Sequence, residues 1–118
     1  MRMEGLRDRT KSLAIRVIRL YSSLPKEPVP QTIGKQLLRS GTSVAANFRE
    51  ASRARSDAEF ISKLGIVEQE LDETQLWLEL LIDAEIVSAT KLTDLIDEVD
   101  QLLKIVVSAA RKTKTKSR

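Results

Sequence analysis

The segment "FISKLGIVEQELDETQLWLELL", residues 60–81, decides the fold class of this chain. Apolar residues recur in it at alternating spacings of four and three, the pattern of a helix that packs in a bundle. Just before it, Ser56 and Glu59 form a capping box, in which the serine oxygen accepts an N3 amide. A helix is therefore predicted from about residue 57. Its buried face comprises Phe60, Leu64, Val67, Leu71, Thr74, Leu78 and Leu81.

Helical periodicity extends upstream of this segment. Leucine and valine recur three, four and seven residues apart over residues 5–24, which predicts a first helix there. The motif "PKEPVP", residues 25–30, ends it, because proline lacks an amide donor and disfavours helix in the residue before it. Thr32 is placed to cap a second helix. Its apolar stripe comprises Ile33, Leu37, Gly41, Val44, Phe48 and Ala51.

The remaining sequence completes the fold. The motif "DAEIVS", residues 83–88, interrupts the apolar pattern, and Ser88 is placed to cap a fourth helix with apolar residues every three or four positions. Because the later connections are short, we expect an all-α, antiparallel up-down four-helix bundle. We expect it to form one domain over residues 1–112. Residues 113–118, which are basic and contain no apolar residue, are expected to be a disordered tail.

Composition excludes several function classes. The chain has 118 residues, 42% of them hydrophobic, and contains neither cysteine nor histidine. Disulfides, thiolate metal sites and serine–histidine relays are therefore excluded, and the commonest transition-metal ligand is missing. No apolar run approaches the roughly 18 residues of a membrane span. We expect a cytoplasmic protein with no membrane partner, no catalytic residue, and no metal or cofactor.

One catalytic alternative stays open on the sequence. Glu50, Glu70 and Glu73, with Asn47 nearby, offer oxygen ligands to Mg²⁺, which would make the chain a Mg²⁺-dependent nuclease. The simpler interpretation is that the acidic residues of the third helix form a solvated or interface surface.

Charge is strongly segregated along the chain. Residues 1–55 carry 12 basic and 4 acidic side chains, whereas residues 56–104 carry 3 basic and 13 acidic ones. The last 14 residues add five positive charges. Such a balance favours binding of RNA or DNA phosphates by a basic surface. The candidate nucleic-acid-binding residues are Arg7, Arg9, Lys11, Arg16, Lys35, Arg39, Arg49, Arg53, Arg55, Arg111 and Lys112.

The same basic residues have a second interpretation. In this interpretation they are the partners of the acidic third helix, in the same chain or in a neighbouring subunit. In that case the protein is a scaffold whose basic and acidic faces build its own ring. The sequence leaves both interpretations open.

The stretch "RSGTSVAANFREASRAR", residues 39–55, combines small and polar residues within the second helix. A glycine inside a helix costs about 1 kcal/mol relative to alanine, so Gly41 indicates a close helix crossing. A polar stripe borders the apolar one and predicts hydrogen bonds between helices two and three. The members of this polar seam are Ser43, Asn47, Glu50, Glu73 and Thr74.

Trp77 and Leu80 belong to a second stripe on the third helix, beside its buried face. A helix with two apolar sides is buried on two sides. In a small bundle the second side is a candidate oligomer interface, in which tryptophan is a favoured anchor. An ordinary core tryptophan is the alternative.

These motifs carry a family resemblance. Residues 42–81 resemble the four-helix-bundle protein family, which includes proteins encoded in intervening sequences of bacterial large-subunit ribosomal RNA genes. They also resemble the accessory variability proteins of diversity-generating retroelements. The specific parts are Ser43-Val44-x-Ala46-Asn47-x-x-Glu50 and Glu73-Thr74-Gln75-x-Trp77-Leu78. Ala45, where relatives often have glycine or proline, and Gln69, where a lysine is common, depart from the pattern.

The resemblance implies an antiparallel bundle that assembles as a homopentamer and has no established enzymatic activity. For the retroelement relatives it implies a basic surface that engages nucleic acid and a reverse transcriptase. A reverse transcriptase partner for this chain rests on analogy alone. We therefore expect a non-catalytic oligomeric bundle that binds RNA or other nucleic acid.

Overall fold

Four α-helices make up the chain. The computed structural model describes residues 3–116, with α1 spanning Met3–Ser23, α2 Pro28–Ser52, α3 Asp57–Asp83 and α4 Ala89–Lys116. Each helix packs along the one that follows it, whereas α1 and α4 approach each other at few positions. The molecule is a rod of 50 × 20 × 19 Å. The prediction of an all-α, up-down four-helix bundle is confirmed.

The second helix begins earlier than predicted. It starts at Pro28 rather than after Thr32, because a proline in the first turn needs no amide partner and has its φ already set for a helix. The amide of Gln31 donates to the carbonyl of Glu27 at 3.0 Å. Thr32 is therefore inside the helix, where its hydroxyl donates to the carbonyl of Pro28 at 2.8 Å.

The caps of α3 and α4 follow the predicted positions. Ser56 accepts the amide of Glu59 at 3.0 Å, as the capping box requires. The Glu59 carboxylate reaches back to the amide of Arg55, at 2.7 Å, one residue before the cap. Ser88 precedes the first residue of α4, but its hydroxyl lies 3.3 Å from the Thr90 hydroxyl rather than on a backbone amide.

The core follows the apolar stripes of all four helices. Every member of the predicted α3 face is buried except Phe60, which is half-buried at the start of the helix. Thr74 is the polar member of that face. Its hydroxyl donates to Ser40 of α2 at 2.9 Å and contacts the carbonyl of Glu70 at 2.8 Å. This buried pair satisfies both hydroxyl groups where α2 crosses α3.

Two glycines let α2 pack closely on α1. A Cβ atom at Gly41 would lie 2.8 Å from Cγ2 of Val17, and one at Gly34 would lie 2.7 Å from Cδ1 of Leu24. No L-residue with a side chain fits at those separations without displacing its neighbour. The close crossing indicated by Gly41 therefore lies between α1 and α2.

The basic C-terminal residues differ from the expected disordered tail. The last helix continues through Lys116, and the hydroxyls of Thr113 and Thr115 donate to carbonyls one turn earlier. Lysines in a last helical turn are stabilised by the negative end of the helix dipole. Residues 117–118 of that tail lie outside the described residues.

Candidate nucleic-acid interface

An open groove of about 420 Å³ runs between α1 and α2 near one end of the rod. Because the two helices are antiparallel, the N-terminal turns of α1 lie beside the C-terminal turns of α2. Because α1 and α2 cross closely at Gly41 and the following lining residues have small side chains, little side-chain volume fills the bottom of the groove. Its lining residues are Arg7, Thr10 and Lys11 of α1 and Ala45, Ala46, Arg49, Glu50 and Arg53 of α2.

Four cations face this groove: Arg7, Lys11, Arg49 and Arg53, which we call the basic groove cluster. All four are exposed, and none makes an ion pair with another residue in the described part of the chain. Each helix contributes two cations four residues apart, which places them one above the other on the same side. The groove thus presents a compact array of positive charge.

The acidic residue of the groove is neutralised locally. Glu50 pairs with Lys63 of α3 at 2.7 Å. The hydrogen bond to Glu50, with its charge, raises the pKa of the Lys63 ammonium. Because the pKa of Lys63 is higher in the folded state than in the unfolded state, the ion pair contributes its full stabilisation of the fold at pH values below the ordinary lysine pKa. That stabilisation is lost as the pH rises through the raised value. At neutral pH the pair therefore leaves the basic groove cluster uncompensated.

Two of the candidate arginines instead meet acidic residues of their own chain. The Arg9 guanidinium of α1 and the Glu98 carboxylate of α4 form a bidentate fork: Nε donates to Oε2 at 3.0 Å, and Nη2 donates to Oε1 at 2.8 Å. That hydrogen bond raises the pKa of Arg9, against the opposing effect of burial. Arg39 joins α2 to α3 through Glu73, at 2.6 Å, and Glu70, at 3.5 Å. These two cations tie helices together.

The remaining candidates are dispersed. Arg16 and Lys35 are exposed, and the described residues offer neither an ion-pair partner. Arg55 lies at the α2–α3 turn and lines a second cleft with Lys116. Arg111 borders a shallow depression on α4, and Lys112 is exposed beside it.

The topology also brings basic residues of the C-terminal tail to this end of the rod. In an up-down bundle the start of α1, the end of α2, the start of α3 and the end of α4 share one end of the rod. Lys116 accordingly lies 3.7 Å from Asp57 at the start of α3. It comes with Lys114, also in the last turn of α4. Because the number of antiparallel helices is even, the end of α4 lies at the same end of the rod as Arg53 and Arg55.

The predicted polar seam is distributed over several contacts. The Asn47 amide donates within α2 to the carbonyl of Ser43 at 2.9 Å. Glu50 and Glu73 take part in the ion pairs described above. Of the seam residues, only Thr74 makes a buried hydrogen bond across the helices, and its partner is Ser40, which lies on the same polar stripe of α2 as Ser43 and Asn47.

Trp77 and Leu80 are half-buried on the side of α3 that adjoins α2. The indole Nε1 of Trp77 is buried, and no acceptor within residues 3–116 is in hydrogen-bond reach of it. Leu76, one turn before Leu80, is 46% exposed. This edge of α3 is therefore an apolar strip that the bundle covers only in part.

A metal site requires a cluster of ligand side chains, and a membrane span requires a long apolar helix. Among the described residues, no group of three or more Asp or Glu side chains is placed to hold a metal ion. The carboxylates considered for Mg²⁺ are those in the ion pairs with Lys63 and Arg39. No helix in the described part of the chain is long and apolar enough to cross a membrane.

Comparisons with known proteins agree with this architecture. The family model described as 23S rRNA-intervening sequence protein matches residues 6–108. The chain is similar to a crystal structure of a protein of unknown function from the S23 ribosomal protein family of Bacteroides thetaiotaomicron VPI-5482. The two are 37% identical with a TM-score of 0.86, over 94% of this chain and 99% of that one. No curated protein matches. The chain belongs to the 23S rRNA-intervening sequence protein family.

Proposed function

We propose that this protein binds nucleic acid without catalysis, through the basic groove cluster. The observation that carries the proposal is that Arg7, Lys11, Arg49 and Arg53 share one groove and lack ion-pair partners in the described part of the chain. A cation paired within its own chain has little to gain from a phosphate. An unpaired one releases counterions from the nucleic acid when it binds.

RNA is the first ligand to test. The family name associates these proteins with an intervening sequence of 23S rRNA, which makes structured RNA the natural probe. The second cleft adds Arg55 to the positive surface at the same end of the rod, whereas Lys116 in that cleft is paired with Asp57. A ligand larger than the groove would meet both.

The test is an electrophoretic mobility shift with a structured RNA hairpin at low and moderate salt. The double variant Arg49→Glu/Arg53→Glu should lose at least tenfold in affinity, because it reverses half of the basic groove cluster. The matched control is Lys26→Glu/Lys91→Glu, which makes the same charge change on exposed residues at the opposite end of the rod. The control should bind like the wild type. Absence of binding at low salt, or equal loss in both variants, would refute the proposal.

We propose as a second function that copies of the chain assemble into a homo-oligomer, with the homopentamer as the state to test. The favouring observation is the partly covered apolar strip formed by Leu76, Trp77 and Leu80. Light scattering should give a mass above 13.3 kDa, which Leu76→Glu should reduce. A monomer at all concentrations would contradict it. Dissociation on adding salt, without RNA affinity, would instead favour the ring scaffold built from opposite charges.

A further inference from the structure

We infer that the basic groove cluster takes the phosphate backbone of a double-stranded nucleic acid, not a single strand, and reads no base sequence. This inference rests on the proposed nucleic-acid binding and names its ligand class. Three observations carry it: the positions of the aromatic residues, the fixed backbone positions of the four cations, and the width of the bundle.

Single-strand binders stack exposed bases on aromatic side chains. The chain has four aromatic residues, and none of them lines the groove. Phe48 is fully buried, and the Tyr21 hydroxyl donates to Gln31 at 2.9 Å about 15 Å along α1 from Lys11. Phe60 is half-buried and borders the second cleft, and Trp77 is half-buried on α3, on the side that adjoins α2. The groove floor is instead alanine and threonine, which give a base nothing to stack on.

The four cations sit on a rigid frame. Arg7 and Lys11 are separated by about 6 Å along the axis of α1, and Arg49 and Arg53 by about 6 Å along α2, because each pair is four residues apart. The two helices are locked together at Gly41, where Val17 fills the space that a side chain would need. Cations that project from fixed backbone positions suit a nucleic acid whose phosphates are also regularly spaced, as in a duplex. A flexible single strand would lose conformational entropy to match it.

Base edges in the major groove of B-form DNA are out of reach of this surface, and duplex RNA is recognised mostly through its shape, 2′-hydroxyls and phosphates. A single helix fits the major groove of B-form DNA, which is about 12 Å wide. Here the cations line a groove between two packed helices, in a rod 20 Å across and 19 Å deep. That pair of helices cannot enter, so the contacts stay on phosphates. Phosphate contacts carry no sequence information directly.

Fluorescence anisotropy with labelled 20-mers tests this inference on the full chain. The ligands are one duplex RNA, the duplex DNA of the same sequence, the four separate strands, and a shuffled duplex of each kind. Both duplexes should bind at least tenfold more tightly than their own strands, and shuffling should change affinity less than about twofold. Either ranking of duplex RNA against duplex DNA supports the inference and shows which helical form fits better.

The salt dependence gives an independent measure. Four phosphate contacts by the basic groove cluster contribute about −3.6 to the slope of log Kobs against log salt on duplex DNA. Arg49→Gln/Arg53→Gln should reduce its magnitude by about 1.8, while Lys26→Gln/Lys91→Gln should leave it unchanged. Single strands that bind as tightly as duplexes, or affinity that shuffling changes tenfold, would overturn the inference while the proposed function stands. Absence of binding to every ligand would overturn the proposed function itself.

Discussion

Gly41 and Gly65 both lie inside long helices, but their surroundings are opposite. An added Cβ at Gly41 meets Val17, which is fully buried, β-branched and unable to turn away. At Gly65 an added Cβ meets nothing within 4 Å. The sequence marks both positions as unfavourable in a helix. Only the packed neighbours show that one glycine is required and the other is dispensable.

Alanine substitutions at these two glycines should therefore have opposite effects. Gly41→Ala should lower the free energy of unfolding by about 1–2 kcal/mol, since overpacking exceeds the gain in helix propensity. Gly65→Ala should raise it by about 0.5–1 kcal/mol, since only the propensity gain applies. Urea denaturation at one protein concentration measures both. A stabilised Gly41→Ala variant would mean that α1 and α2 separate easily at this crossing.

The arginines show where sequence reasoning stops at the residue scale. Eleven candidates shared one signal, positive charge in a basic segment. Whether a given arginine lies beside a carboxylate depends on which residue of another helix stands opposite. Arg9 is 89 residues from Glu98, and Arg39 is 31 residues from Glu70. No local sequence pattern encodes contacts over those separations. Which cations form ion pairs between helices and which do not could therefore be seen only in the packed structure.

At the scale of the helices, local chemistry predicted most of what is seen. The buried face of α3 and its Ser56 cap depend on residues only a few positions apart, so hydrophobic periodicity and the capping rule were enough to predict both. The two errors lie at helix ends. The start of α2 was placed five residues late, because prolines that stop one helix also begin the next. The end of α4 was placed early, because polarity was taken as disorder where lysine and threonine continue the helix.

One ion pair spans the contact between α1 and α4. These two helices approach at few positions, and the Arg9–Glu98 fork spans them. Arg9→Gln should lower the free energy of unfolding by about 1 kcal/mol, because both side chains are partly exposed and the pair is screened. Hydrogen exchange should speed up in the first three turns of α1.

Arg16→Gln is the matched control for this variant. Arg16 is exposed on the same helix and makes no ion pair with the described residues. It should change stability by less than about 0.5 kcal/mol. Equal effects of the two substitutions would show that the loss comes from the helix itself and not from the fork.

At the scale of the whole molecule, the topology collects charge that is far apart in the sequence. The basic cations of α1 and α2 and the lysines of α4 belong to opposite ends of the chain, with an acidic segment between them. Four antiparallel helices return the C-terminus to the end of the rod where α1 begins. Lys116 consequently shares a cleft with Arg55.

On the proposed function, this arrangement adds to the binding surface the C-terminal lysines that lack an ion pair within residues 3–116. Lys112→Gln/Lys114→Gln should weaken RNA binding severalfold and reduce its salt dependence, although both residues lie about 60 positions from Arg53. Lys26→Gln/Lys91→Gln, at the other end of the rod, should leave binding unchanged. Mobility shifts at two salt concentrations measure this, with circular dichroism to check that α4 stays helical. A tail variant that binds like the wild type would restrict the interface to the basic groove cluster.

The sequence by itself determined the helical class, the number of helices, the α3 seam and the absence of histidine and cysteine chemistry. These features depend on residue type and on spacing within a few turns, which the order of residues contains directly. Only the tertiary structure decided which cations are tied to carboxylates, which glycine is sterically required, and which charges gather at one end. Those outcomes depend on pairs of residues from different helices, whose distances are set by packing.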